Sequence, residues 1–248
     1  MQSNYNYLLR LQFLGFRYHG WQKQPGVKTV QLRVEKTLRF VLGGGVRIKT
    51  LGASRTDAMV SAEDFPCQLY LQEALPADFL ALFNANLPSD IQVISLEPVT
   101  PAFNVIQDVV EKEYHYSLLF GSEKQPFDAH LSAYVPFSLD APRMSAASYI
   151  LQGRHNFNAF TYPYEAGGVK LRTIDRVACS YETVKIRLTF ISKGFMRYQI
   201  RLMVGALVEI GRGEKSENDL IASLTTGHNR IGYFKAPASG LLLKRVQY

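Results

Sequence analysis

The period of the apolar pattern switches repeatedly between two and about four residues, which limits this chain to a fold that mixes sheets with helices. Leu9, Leu11 and Phe13 alternate with Arg10 and Gln12, so a half-buried strand opens the chain. From about Thr29, Val30, Val34, Leu38 and Val41 recur at near-helical spacing, and Gly43-Gly44-Gly45 ends the predicted helix. A basic strand is expected over Val46–Leu51, ahead of Gly52-Ala53-Ser54-Arg55-Thr56-Asp57-Ala58. A second helix is expected over Pro76–Asn86, after which Leu87-Pro88-Ser89-Asp90 turns the chain into a strand at Ile91–Leu96.

Pro98 and Pro101 mark the best internal boundary, which sets an N-terminal half at 1–105 and a C-terminal half at 106–248. The second half opens with an alternating strand, Glu113–Phe120, that places Tyr114 and Tyr116 on one face. Helices are predicted near Ala141–Leu151 and Phe195–Ile210, and strands near Val177–Thr183, Val184–Ile191 and Leu241–Val246. Each half is therefore an α+β unit, with spacing closer to hairpins than to βαβ repeats.

Composition narrows the class of protein without choosing a function. At 47% hydrophobic and 20% charged, the 248 residues match an ordinary soluble globular protein. A net charge of +7 and a pI near 9.3 suit a polyanionic partner, although many basic enzymes bind no nucleic acid. Cys67 and Cys179 are in no paired spacing and are expected as buried free thiols, with no metal site. Met1-Gln2-Ser3-Asn4-Tyr5 has no leader-like pattern, and the longest apolar runs fall far short of a membrane span. A cytoplasmic location is expected.

Three groups of residues could carry chemistry. Arg55-Thr56-Asp57 sits among small residues after a predicted strand, and a guanidinium beside a carboxylate favours the ionised form. Asp57 could then be a nucleophile or base where water is excluded, or simply an aspartate bonded to its own turn. Arg197 and Arg201 are four apart, so on a helix they share one face. Arg201 borders the apolar stripe Ile200, Met203, Val204 and Leu207, where it would need a carboxylate; alternatively both arginines are solvated. Tyr114 could stack on an extruded base, or be a core aromatic of its sheet.

Several blocks in order resemble the TruA-like family of tRNA pseudouridine synthases. They are Phe16-Arg17-Tyr18-His19-Gly20-Trp21-Gln22, Thr29-Val30-Gln31, Ala53-Ser54-Arg55-Thr56-Asp57-Ala58 and Phe83-Asn84-Ala85-Asn86-Leu87-Pro88. Gly153-Arg154-His155-Asn156-Phe157, Arg172-Thr173-Ile174, Phe195 to Gly205 and Ala236-Pro237-Ala238-Ser239-Gly240-Leu241 follow. The resemblance implies an isomerase that detaches uracil from its ribose, turns it and rejoins it through carbon, with no metal, nucleotide or organic cofactor. It implies Asp57 as nucleophile, Arg201 as its cation partner, Tyr114 over the target base and Arg55 on the flipped nucleotide. The implied fold is two ferredoxin-like-derived α+β halves with joined sheets and a basic central cleft. The implied assembly is a homodimer acting on the anticodon stem-loop of tRNA. Arg17, Lys23, Lys28, Arg154, Lys170 and Arg172 flank the matching blocks and are the candidate RNA contacts.

The chain also departs from the family pattern. Ala58-Met59-Val60-Ser61-Ala62 replaces the usual Ala-Gly-Val-His-Ala, and Ile106 stands where a basic residue is common, near acidic Asp108 and Glu111. Two other readings follow: a catalytically impaired relative that binds and folds tRNA, or an active synthase for a different RNA. A hydrolase built on Asp57 and His155 has only residue types behind it, with no serine or cysteine nucleophile motif.

Overall fold

The computed structural model describes residues 4–121, 123–229 and 234–248. Met1, Gln2 and Ser3, part of the start read above, lie outside the described residues. The chain forms two units, Met1–Val110 with Leu243–Tyr248, and Glu111–Leu242. Both mix strands and helices, as the periodicity predicts.

In the first unit, β1 (Tyr5–Phe13) lies between β4 (Ile91–Pro98) and β3 (Ser61–Leu71), antiparallel to both. β2 (Lys49–Gly52) pairs with the end of β3, and the last residues of β11 (Leu241–Gln247) also neighbour β3. Helix α1 (Val30–Leu42) starts where Thr29 accepts a hydrogen bond from the Leu32 amide and stops at Gly43, whose φ of 95° suits glycine. It packs against α2 (Phe79–Asn86). The basic strand expected from Val46 begins three residues later, and α2 begins at Phe79 rather than Pro76.

β3 is absent from the sequence expectations although it holds the centre of this sheet. Glu63, Asp64, Pro66 and Gln68 break its apolar alternation. Asp64 and Gln68 find partners elsewhere in the unit. Arg10 donates to Asp64 at 2.6 Å, while Gln68 donates to the Phe103 carbonyl and accepts from the Val105 amide. Buried polar groups met in this way cost little, so the strand tolerates them.

In the second unit, β10 (Lys185–Ser192) is paired antiparallel with β5 (Glu111–Phe120) and β9 (Arg176–Tyr181). β6 (Ala133–Val135) joins β5 in parallel, so the sheet is mixed. β7 (Gly153–Asn156) and β8 (Leu171–Ile174) form a separate two-stranded sheet. Lys112, Tyr114 and Tyr116 alternate inward on β5, and burial pushes the Lys112 ammonium down to about 8. Helix α3 (Ala141–Ser148) packs on β9 and on α4 (Gln199–Gly211). Helix α5 (Glu217–Thr226), also unpredicted, begins at a reciprocal Ser216–Asp219 cap and ends at Gly227. Cys67 is buried and Cys179 half-buried, and both are free thiols.

α4 starts four residues later than the pattern predicts, because Tyr198 adopts the left-handed region with φ 63°. Gly205 on this helix faces the chain at 234–236, and a Cβ there would sit 1.8 Å from the Phe234 carbonyl oxygen. Gly205→Ala should therefore force that segment away and cost about 1–3 kcal/mol. A urea midpoint equal to that of the unaltered protein would contradict this packing.

Candidate active site

In the first unit the Arg55-Thr56-Asp57 segment lies between β2 and β3 and is held by backbone contacts. The Trp21 amide donates to the Thr56 carbonyl at 3.3 Å, and the Met59 amide donates to the Tyr18 carbonyl at 3.0 Å. Gly20, at φ 82°, leaves no room for a side chain: a Cβ would be 2.3 Å from the Thr56 oxygen. Gly15 is equally tight against the Val60 oxygen, at 1.9 Å. The segment Gly15 to Gln22 is thus a clamp on the loop that carries Asp57.

Aromatic packing anchors the clamp. Trp21 is buried with its ring 4.2 Å from that of Phe65, and Gly52 lies directly against the indole. Tyr18 is buried and donates its hydroxyl to Asp90 at 2.6 Å; burial, reinforced by that carboxylate, pushes its pKa upward. Asp57 is half-buried and Arg55 exposed. Two of the family departures have local explanations. Met59 adopts φ 69°, the region where the usual glycine fits without strain, and the buried Ser61 hydroxyl accepts from the Gly15 amide at 2.9 Å.

In the second unit Tyr114 is 7% exposed and meets Phe195 edge-on at 5.4 Å. Phe195 lines an open cleft of about 650 Å³ with Arg154, Arg172, Lys193, Asp175, Ser192 and Met196. Two of the predicted RNA contacts are therefore brought together beside the predicted base-covering tyrosine, and Lys193 joins them. Lys193 was missed because no motif surrounds it.

Arg201 is 9% exposed, which rules out the reading of it as a solvated arginine. Its Nε donates to the Ala236 carbonyl at 2.8 Å, and the Ala236 amide donates back to the Arg201 carbonyl at 3.1 Å. Arg197 is exposed and precedes α4, so the expected shared helical face does not form.

The remaining candidates differ in surroundings. Arg17 is exposed, 4.0 Å from Asp90, and Lys28 sits 4.6 Å from the centre of the Tyr18 ring. Lys23 lies 2.6 Å from buried Glu35, and Lys170 lies 3.4 Å from Glu165. Among the described residues no group of three His, Cys, Asp or Glu is placed to hold a metal ion. No described helix is long and apolar enough to cross a membrane.

A family model described as "tRNA pseudouridine synthase" matches residues 147–248. The chain is 34% identical to the tRNA pseudouridine synthase A of Pelobacter propionicus, covering 97% of this chain and 98% of that protein. It is 34% identical to the Thermus thermophilus protein of the same name, with 97% and 96% covered. For tRNA pseudouridine synthase A 2 of Clostridium perfringens the identity is 31%, with 98% and 99% covered. Identity at this level, sustained from end to end, goes with the clamped Arg55-Thr56-Asp57 loop and the buried Tyr114 and Arg201: the chain belongs to the tRNA pseudouridine synthase family of the TruA type.

Proposed function

We infer that this enzyme converts uridine to pseudouridine in tRNA, with Asp57 as the nucleophile. Full-length identity to synthases that share this activity in their names carries the reading. The reaction breaks the bond from uracil nitrogen to ribose and makes one from uracil carbon to the same sugar, so the residues alone can carry it. Tyr114 is proposed to cover the extruded base, offsetting stacking lost on flipping, a cost of roughly a few kcal/mol. Arg201 is proposed as the cation partner of Asp57, because a buried guanidinium needs an anion more than a solvated one does.

Finer parts of the reading rest on the resemblance. We place the target in the anticodon stem-loop, the enzyme in the cytoplasm as a homodimer, and the halves in a ferredoxin-like-derived arrangement with joined sheets. The RNA is expected along a basic central cleft through Arg55, Arg17, Lys28, Arg154 and Arg172, with Lys193 added. Lys23 and Lys170 should contribute less, since they lie closer to a carboxylate, at 2.6 and 3.4 Å, than Arg17 does at 4.0 Å.

The departures are compatible with catalysis. Met59 keeps the backbone turn that glycine would make, at a cost of about 1–2 kcal/mol for its left-handed conformation. Asp108, acidic beside the unusual Ile106, helps to build the local turn. It accepts from the Asn104 amide, and Asn104 in turn accepts from the Ile106 and Gln107 amides. The change at Ile106 itself, half-exposed, is left as a difference in surface chemistry.

Three results are expected. Asp57→Asn should abolish pseudouridine formation on tRNA while leaving folding and tRNA affinity nearly intact; near-normal turnover would remove Asp57 from the mechanism. Met59→Gly should raise stability by about 0.5–1 kcal/mol, the strain relieved less the entropy glycine adds to the unfolded chain, and keep activity. A lower denaturation midpoint would show instead that the Met59 side chain holds the loop. Finally, tRNA affinity should fall steeply with salt, and Arg172→Ala should reduce the log–log slope by about 1. A slope that Arg172→Ala leaves unchanged would take that cleft out of the phosphate path.

A further inference from the structure

Tyr162, Arg197, Tyr198 and Lys235 gather at the start of α4 and are not among the residues that line the cleft. The Tyr198 ring has Lys235 Nζ 4.1 Å from its centre, the Arg197 guanidinium at 4.8 Å and that of Arg201 at 5.7 Å. Arg197 also lies 5.4 Å from the Tyr162 ring, and the two rings are 6.2 Å apart. Tyr162 is 59% exposed, and Arg197 and Lys235 are exposed. Among the described residues Arg197 and Lys235 are in no ion pair, and Arg197 instead donates to the Tyr198 hydroxyl at 3.0 Å.

Cations collected around one aromatic ring repel each other, and the ring quadrupole offsets only part of that repulsion. Arg197 and Lys235, in no ion pair among the described residues, therefore add positive charge beside the accessible ring of Tyr162. That combination suits a nucleotide outside the base stack: ring for the base, cations for the phosphates.

The backbone of Tyr198 adds a second observation. A bulky residue at φ 63° is an outlier, and strain of this kind persists only where neighbours enforce it. Here Thr161 donates to the Arg197 carbonyl, the Leu202 amide donates to the Tyr198 carbonyl, and Gln199 accepts from the Met196 amide. Lys235 is held in place by the paired hydrogen bonds of Ala236 with Arg201. Glycine would fit this backbone better, so the ring is kept at a cost to the fold.

We propose that Tyr198, with Tyr162, Arg197 and Lys235, binds an unpaired nucleotide of the substrate RNA, its base stacked on the tyrosines and its phosphates on the two exposed cations. The inference rests on tRNA being the substrate and adds a stacking site to that reading. Tyr198 and Tyr162 are then RNA-binding residues, outside the reacting trio.

The test separates strain from stacking. Tyr198→Gly, Tyr198→Phe and Tyr162→Ala are made in the Asp57→Asn protein, and each is titrated with folded tRNA and with a fully paired RNA duplex. Tyr198→Gly should melt no lower than its parent yet bind tRNA roughly 10- to 100-fold more weakly, with duplex binding unchanged. Tyr198→Phe should bind as the parent does, and Tyr162→Ala, on an exposed side chain, should lose several-fold in tRNA affinity alone. Unchanged tRNA affinity in Tyr198→Gly and Tyr162→Ala would overturn the proposal, as would equal losses for tRNA and duplex, or affinity lost only in step with stability. Pseudouridine formation by the unaltered chain is assayed alongside. If it is absent on every tRNA, the synthase reading fails; if it is present while the tyrosine variants bind normally, only the stacking site fails.

Discussion

Two carbonyl oxygens, those of Thr56 and Val60, occupy the space where Gly20 and Gly15 would carry a Cβ. No other residue type permits that approach, and it fixes the loop bearing Asp57 from both sides. Hydrogen bonds from Trp21 to Thr56 and from Met59 to Tyr18 then set the register of the loop on its clamp. The clamp is rigid in turn because Trp21 is packed on Phe65 and Tyr18 is tied to Asp90. The nucleophile role proposed for Asp57 requires its carboxylate to be held within a fraction of an ångström of its reactive geometry, and stacked backbone contacts do this better than flexible side chains.

A comparable device serves the second unit. Gly205 lets the chain at 234–236 lie along α4, and that contact pairs Ala236 with Arg201 through two hydrogen bonds. The neighbouring Tyr116 hydroxyl donates to the Pro237 carbonyl at 2.7 Å, tying the same segment to β5. Arg201 is thus positioned by the strand that carries Tyr114 and by the segment next to it, rather than by its helix alone. In both units a glycine without room for a side chain is what allows a candidate site residue to be held by backbone.

Local signals were legible wherever a single stretch of chain decides the outcome. Thr29 and the glycines around α1, the alternation in β5 and the order of the family blocks are all of this kind. Membership of the family, and with it the assignment of tRNA as substrate, also follows from order and spacing of residues. β3 was illegible because its Asp64 and Gln68 meet partners in Arg10, Phe103 and Val105, which are distant in sequence. α5 carried readable signals in Ser216, Asp219 and Gly227, but its weak apolar stripe gave no period to attach them to.

The sequence by itself determined the α+β class and the family, and it nominated the trio Asp57, Tyr114 and Arg201, because these depend on residue type and order. Tertiary structure alone decided that Arg201 is buried while Arg197 is not. Four-residue spacing assumes an unbroken helix, and one left-handed residue between them ends that equivalence. It also decided which cations share the cleft beside Phe195 and which are already matched by carboxylates. Charge is additive along a sequence, but its local density depends on which segments folding brings together.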